Sequence, residues 1–329
     1  MRPEPPLLAL MPNPTHAISL RLLGLPRIET LDDFSALTHL SAGFLFRLSH
    51  FADKYYRTYE IPKRTGGRRV IAQPSREMKA LQSWILRNIL EGLRVSPAAK
   101  GFEKGSSIVD NAIPHRGSTA VLCLDLEDFF PSIKVNQVWS VFHAVGYSPA
   151  IAAILASICC FKGGLPQGGP TSPKLANLVT LRLDARLLGL VGKRGIVYTR
   201  YADDLTFSTF SAWKLVGCLP LIRKIIASEG FTVNREKTRL TGPGKQHRIT
   251  GLVVTDKDVG IGRELLRKLR SKIISLCRYP AGGAPQTDLK SIKGWFAYVN
   301  GVDPVRYGMM QTYLKRLKNK HPSTGIMDL

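Results

Sequence analysis

The chain has 329 residues, 44% of them hydrophobic, enough to bury a sizeable core in one large domain or in two to three closely packed subdomains. Lys and Arg number 47 against 24 Asp and Glu, and a compact body with a formal net charge of +23 is expected to partner a polyanion, nucleic acid first. Five cysteines with no CxxC pair argue against a disulfide framework or a zinc knuckle, no apolar run reaches transmembrane length, and the proline-broken PPLLALMPNP is too short for a span or a signal peptide, so a cytoplasmic protein with no membrane partner is expected.

Residues 1–30 are rich in proline and lack periodicity, which predicts an extended lead-in. One helical region is expected over 31–51. YRTYEIPKRTGGRRVIAQPS reads as two strands around a basic turn at 63–69. Ser75 is placed to cap the next helix, in which Met78, Leu81, Ile85, Ile89 and Leu93 recur at three- and four-residue steps and mark one buried face. TAVLCLDLEDFF is a β-rich apolar run that ends in acids, and a helix is expected near 137–144. Ser148-Pro149 and Ser172-Pro173 each read as a helix start, with Ser at the cap and Pro in the first turn. Cys159 and Cys160 lie between them in an apolar run and read as helix packing. GIVYTRYADDLTFSTF is the strongest hairpin pattern, two β-rich arms around Ala202-Asp203-Asp204. A helix over 212–229 follows, then short strands in FTVNREKTRLTG and HRITGLVVTD. From Arg263 onward the pattern is helical and basic, with a Gly/Pro break at 280–285.

Three carboxylates carry the chemistry. Asp125 ends one apolar strand, and Asp203 and Asp204 sit at a hairpin tip; if the two strands are sheet neighbours, these acids converge at its edge. Two Mg²⁺ ions about 3.5–4 Å apart need several hard oxygen ligands on a rigid support, one ion activating a 3′-hydroxyl and the other neutralising a leaving pyrophosphate. Acids buried at strand ends without a cation would be costly. An Asp-Asp dipeptide alone is usually a solvated turn, and Glu127 and Asp128 read as a polar turn or a cap.

The order of motifs is far more specific. LDLEDFFPSI (124–133), LPQGGPTSPKLAN (165–177), YADD (201–204), GFTVNREKT (230–238) and ITGLVV (249–254) together resemble the palm motifs of reverse transcriptases. The resemblance runs from about 56 to 254. It implies an α+β fold with right-hand polymerase architecture: fingers, a palm with an antiparallel sheet flanked by helices, and a helical thumb. The implied division is an N-terminal extension with helices at 1–50, a fingers–palm region at 51–250 and a basic thumb at 251–329. Fingers would fall mainly at 51–116 and 147–175, and palm mainly at 117–146 and 176–250.

In that family Asp125, Asp203 and Asp204 match the metal-binding aspartates, with the Leu126 backbone beside them. Phe130 matches the aromatic gate against a ribose 2′-hydroxyl. Gln167 matches the glutamine along the incoming nucleotide. Tyr201 would lie against the primer end. Lys237 matches a lysine near the triphosphate, with Arg235 as a competing neighbour. Lys63 and Arg69 of the KRTGGRR turn would hold the deoxynucleoside triphosphate (dNTP), with Arg68 also open.

Two further boxes narrow the group. NAIPH (111–115) resembles the N-A-x-x-H box of retron reverse transcriptases, and ITG (249–251) resembles their V-T-G box, with Ile for Val. By that resemblance Asn111 and His115 help bind a structured RNA, and Thr250 and Gly251 lie at primer and template. Arg263, Arg267 and Arg270 of the basic thumb would hold RNA backbone, which is read mostly by shape. Trp295, Phe296 and Tyr298 would form the thumb's small core, with RNA stacking as the alternative. The resemblance implies a cognate noncoding RNA of msr-msd type, synthesis from the 2′-hydroxyl of a guanosine, a branched multicopy single-stranded DNA (msDNA) as product, and an effector protein in anti-phage defence. Competing expectations are a group II intron-like or diversity-generating reverse transcriptase, or a non-catalytic RNA-binding scaffold.

Overall fold

The computed structural model describes residues 20–62 and 66–329, so Lys63 lies outside the described residues. Where one helical region was expected over 31–51, two helices form, α1 (Leu31–Thr38) and α2 (Ala42–His50). His39 takes a left-handed conformation (φ 56°) that ends the first, and the side chains of Thr30 and Ser41 cap the two N-termini. Strands β1 (Tyr56–Pro62) and β2 (Arg68–Pro74) pair as an antiparallel hairpin. Ser75 caps α3 (Arg76–Ile85), and Met78, Leu81 and Ile85 are buried with Ile89 beyond them. The spacing survives a widened π turn over Leu86–Leu90.

The central sheet is antiparallel, in the order β4 (Val197–Tyr201), β5 (Asp204–Thr209), β3 (Ala120–Asp125), β6 (Arg239–Thr241). Side chains alternate across a strand, so Leu122 and Leu124 of β3 share one face with Leu205 and Phe207 of β5. That face packs on α9 (Leu181–Gly192) through Leu183, Leu187 and Val191, and on α10 (Ala212–Ser228) through Leu215, Ile222 and Ile226. The opposite face carries Cys123 and Thr206 and lines an open cleft.

Five more α-helices lie between α3 and α9 in the chain. They are the short α4 (Ile108–Ala112) and α5 (Phe129–Ser132), then α6 (Val135–Ala144), α7 (Pro149–Cys159) and α8 (Ser172–Val179). Ser148 caps α7 as expected, with Pro149 in its first turn. Ser172 does not cap α8: Thr171 holds the cap position, and Ser172 is the first helical residue. Cys159 closes α7 and Cys160 follows it, both buried.

The stretch expected as strand in FTVNREKTRLTG is mostly a turn, with only β6 regular. HRITGLVVTD is two strands, β7 (His247–Ile249) and β8 (Leu252–Val254), which form a small sheet with β9 (Val259–Gly260). A second core joins these strands to α11 (Arg263–Ser275), α12 (Gln286–Val302) and α13 (Pro304–Lys320). Trp295, Phe296 and Tyr298 pack against that core, with Trp295 edge-on to Tyr298 at 5.6 Å, so they serve packing. Hairpin, helix-backed antiparallel sheet and basic helical unit together make the expected α+β, right-hand polymerase architecture. Among the described residues no helix is long and apolar enough to cross a membrane.

Candidate active site

Asp125 ends β3 directly opposite Asp204, the first residue of β5, and Tyr201 faces Asp204 from β4. Only Ala202 and Asp203 form the turn, and Ala202 is left-handed (φ 58°). The Leu126 amide donates to the Asp203 carbonyl at 3.0 Å, which ties the turn to the end of β3. Pairing register alone thus brings Asp125, Asp203 and Asp204 to one sheet edge.

The chain after α10 adds a cation. The Asn234 amide donates to the Asp125 carbonyl at 2.8 Å, and Asn234 Oδ1 accepts from the amides of Glu236 and Lys237. This Asx turn bends the segment back. Lys237 Nζ then reaches both Asp125 carboxylate oxygens, at 2.9 and 3.0 Å, so Lys237 and not Arg235 reaches the acids. The bond to Asp125 raises the Lys237 pKa. Desolvation, with repulsion from Asp125, raises Asp203. Asp204 keeps solvent contact at the cleft mouth, yet desolvation and the charges of Asp203 and Asp125 push it up to about 6.

Among the described residues no three acidic, His or Cys side chains are already drawn together as metal ligands. The Asp125 carboxylate is turned onto Lys237 instead. The donor chemistry nonetheless fits a hard divalent ion: three carboxylates share one edge under mutual repulsion, and the Leu126 carbonyl takes no hydrogen bond among the described residues. Asp125, Asp203, Asp204 and the Leu126 carbonyl are the groups that would hold such ions.

Beneath the turn lies a frame of buried polar groups absent from the sequence expectations. Arg200 donates to Asp184 from Nε at 2.9 Å and from its terminal nitrogen at 2.7 Å, and both side chains are fully buried. The same guanidinium donates to Asn177 Oδ1 and to the Ala202 carbonyl, each at 3.1 Å. Asn177 donates on to the Gly101 carbonyl and to Glu103, which also pairs with Lys174. A Cβ on Gly101 would fall 2.7 Å from the Ala202 amide, so only glycine fits there. One signal was available: Asp184 lies on the helix face of Leu187 and Val191, where an acid needs a buried partner.

Of the other expected residues, some stand close to the acids. Arg69, on the exposed face of β2, is near enough to Asp203 to favour its charged form. The Ala72 amide of β2 donates to the Gln167 carbonyl at 3.0 Å, and a side chain on Gly168 (φ 135°) would strike the Ala72 carbonyl. Phe130 is half-buried after Asp125, its ring 5.9 Å from that of Phe102. Tyr201, Thr250 and Gly251 line one cavity with Asp204.

The NAIPH box needs a correction. Asn111 and His115 are fully buried and present no side-chain surface to an RNA. The His115 ring is held between Ser208 Oγ of β5 at 2.7 Å and Thr199 Oγ1 of β4 at 2.8 Å. Thr250 Oγ1 donates to the Ile108 carbonyl at 3.4 Å, and the Gly117 amide donates to the Thr255 carbonyl. The segment that carries the box therefore joins the central sheet, through His115, to the β7–β8 hairpin, through Ile108 and Gly117. On α11, Arg263 and Arg267 are exposed, whereas Arg270 is half-buried with its guanidinium over the Tyr313 ring at 5.3 Å.

Acids at the edge of a helix-backed sheet, between a hairpin and a basic helical unit, define a right-hand nucleotide polymerase. The family profile described as "Reverse transcriptase (RNA-dependent DNA polymerase)" matches residues 61–254. The chain is 45% identical over 309 residues to the retron Ec86 reverse transcriptase of Escherichia coli, covering 93% of this chain and 95% of that one. It is 39% identical over 303 residues to the retron Mx65 reverse transcriptase of Myxococcus xanthus, covering 85% of this chain and 70% of that one. A telomerase structure from Candida tropicalis is similar at a TM-score of 0.47 and 12% identity, over 78% of this chain and 59% of that one, too loose to bear on function. The chain belongs to the reverse transcriptases and, within them, to the retron reverse transcriptases. It is an RNA-directed DNA polymerase of a family that generally uses divalent metal ions and acts with a noncoding RNA, making DNA from nucleotides.

Proposed function

We propose that this polymerase recognises its own structured noncoding RNA, of msr-msd type, and copies part of it from the 2′-hydroxyl of a guanosine. The product is a branched RNA–DNA hybrid, msDNA. In the first step the 2′-oxygen bonds to the α-phosphorus of a dNTP, the bond to pyrophosphate breaks, and the hydroxyl proton is lost to solvent. Two Mg²⁺ ions at Asp125, Asp203, Asp204 and the Leu126 carbonyl would supply Lewis-acid activation of the hydroxyl and charge neutralisation at pyrophosphate.

The chain's own groups have separate tasks. Lys63, Arg69 and Lys237 hold the triphosphate and stabilise charge that develops on it. Phe130 closes the sugar site against a 2′-hydroxyl, and Gln167 lies along the incoming nucleotide. Tyr201, Thr250 and Gly251 seat the primer, and Arg263 and Arg267 take RNA backbone. Asn111 and His115 brace the central sheet from inside, in the segment that anchors the RNA-facing hairpin. Fingers fall mainly at 51–116 and 147–175, palm at 117–146 and 176–250, and thumb at 251–329. An effector protein and a role in anti-phage defence in the cytoplasm complete the reading.

The observation that carries it is the convergence of the three acids at one sheet edge with the Thr250–Gly251 turn beside them. Nucleic acid purified with the protein tests it. Sequencing before and after debranching should give a short DNA joined 2′–5′ to RNA; recovery of RNA alone, or of linear DNA, would reject the branched product.

A further inference from the structure

A cavity of about 300 Å³ opens beside Asp204, between the central sheet and the β7–β8 hairpin, with room for a nucleoside-sized group. Tyr201, Asp204, Thr250 and Gly251 line it, together with two arginines, Arg239 and Arg248. Neither arginine bonds the acids or Lys237. Arg239 is paired with Cys123 in the sheet and lies close enough to Asp204 to favour its ionised form. Arg248 approaches from β7, where the Cys123 thiol meets its carbonyl at 3.9 Å. Cys123, on the cleft side of the sheet, thus adjoins Arg239 across the β3–β6 pairing and the Arg248 backbone from β7.

The Arg248 guanidinium is held by Gln246 at 3.1 Å and Glu264 at 3.2 Å, both at the surface. An exposed pair of that kind is readily exchanged for a phosphate, which matches the guanidinium fork. A nucleotide at the 3′ end of a strand brings one phosphate into such a cavity. A nucleotide inside a continuing strand brings two, one on each side of its ribose. Two guanidinium groups from different strands, one beside Asp204 and one beside the thumb, match the second case.

We infer that this cavity binds a ribonucleotide internal to an RNA strand, with Arg239 and Arg248 each taking one flanking phosphate. The hydroxyl left to face the acids is then the ribose 2′-hydroxyl, since the 3′-oxygen is already esterified. This inference rests on the branched-priming reading and adds the residues that select the priming nucleotide.

The RNA that co-purifies with the wild-type protein, remade by transcription, serves as the probe. Initiation is read as transfer of the first labelled deoxynucleotide to that RNA. Elongation is read on a DNA primer with a free 3′ end annealed to an RNA template. The double variant R239Q/R248Q should lose initiation at least 30-fold and elongation less than 3-fold, with its melting temperature retained. R239K/R248K, which keeps both charges, should recover part of the initiation. A parallel fall in both activities would make the arginines general duplex contacts and overturn the inference. Normal initiation by the double variant, with wild type priming at a 2′-hydroxyl, would overturn the inference alone. A wild-type enzyme that starts only from 3′ ends would overturn the branched-priming reading and this inference together.

Discussion

Arg200 grips Asp184 through two nitrogens inside the protein and spends a remaining N–H on the carbonyl of Ala202, the residue before Asp203. Stripping one partner from a buried pair of this kind costs about 3–5 kcal/mol, because the other charge is left without compensation. The pair also fixes the left-handed turn that carries Asp203. Arg200→Lys keeps the charge but loses the fork. We expect its kcat to fall at least 10-fold with KM for dNTP changed less than 3-fold. Steady-state kinetics check this; a rise in KM with kcat intact would place Arg200 with substrate binding instead.

His115 gives the fold a pH signature. Burial between the hydroxyls of Thr199 and Ser208 pushes its pKa down to about 4 from an ordinary 6.5, with no charged neighbour contributing. Between those values the unfolded chain binds a proton that the folded chain does not. Stability from the neutral ring is therefore complete above about pH 6.5 and declines toward pH 4, by about 3 kcal/mol in all. Asp204, raised to about 6, works in the opposite direction, so the contribution must be read by difference. Urea unfolding of wild type and His115→Gln should show their stability gap shrinking by about that amount from pH 7 to 4. A constant gap would contradict a buried neutral His115.

Lys237 stands in for a cation at Asp125. Lys237→Met leaves the three acids without it. In the absence of divalent ions the variant should melt lower than wild type, and Mg²⁺ should raise its melting temperature more than it raises that of wild type, by ligand linkage. Equal Mg²⁺-induced shifts in thermal melts would mean that Lys237 does not share the acids' counter-charge.

Phe130 lies in α5, the short helix after Asp125, half-buried beside Phe102. Phe130→Ala opens the space above a bound sugar. Preference for deoxynucleotides over ribonucleotides should fall at least 10-fold in single-nucleotide incorporation assays, and unchanged sugar selectivity would reject the gate.

Much of this was legible in the residues. The β-rich runs in TAVLCLD and in the YADD hairpin gave β3, β4 and β5, and the acids at their ends pointed to one sheet edge on condition that the strands were neighbours, which they are. Ser75 and Ser148 announced their helices because a cap acts through local hydrogen bonds. Ser172 misled because the chain at Thr171 already turns helically, which moves the cap one residue back. The expectation of strand in FTVNREKTRLTG failed ahead of β6 for a related reason: Asn234 satisfies two amides with its own side chain and so replaces the ladder. Lys237 could be picked from its motif, but its grip on Asp125 depends on that turn. The Arg200 frame unites Arg200 with Asp184 and Asn177, 16 and 23 positions away, and no local pattern carries such pairings. Asn111 and His115 show the converse. Their box was conspicuous in sequence, yet three-dimensional packing assigns them to the interior.

The central claim is that Asp125, Asp203 and Asp204 act as one metal-dependent polymerising site. The most direct measurement is primer extension on an RNA template with Mg²⁺, run beside an RNA-binding assay, for wild type and for a variant carrying Asp203→Asn and Asp204→Asn. The variant should bind RNA with an affinity within about 3-fold of wild type and extend the primer at least 10³-fold more slowly, as expected when charge stabilisation at the reacting phosphate is lost. DNA synthesis by the double variant at a rate near that of wild type would contradict the account.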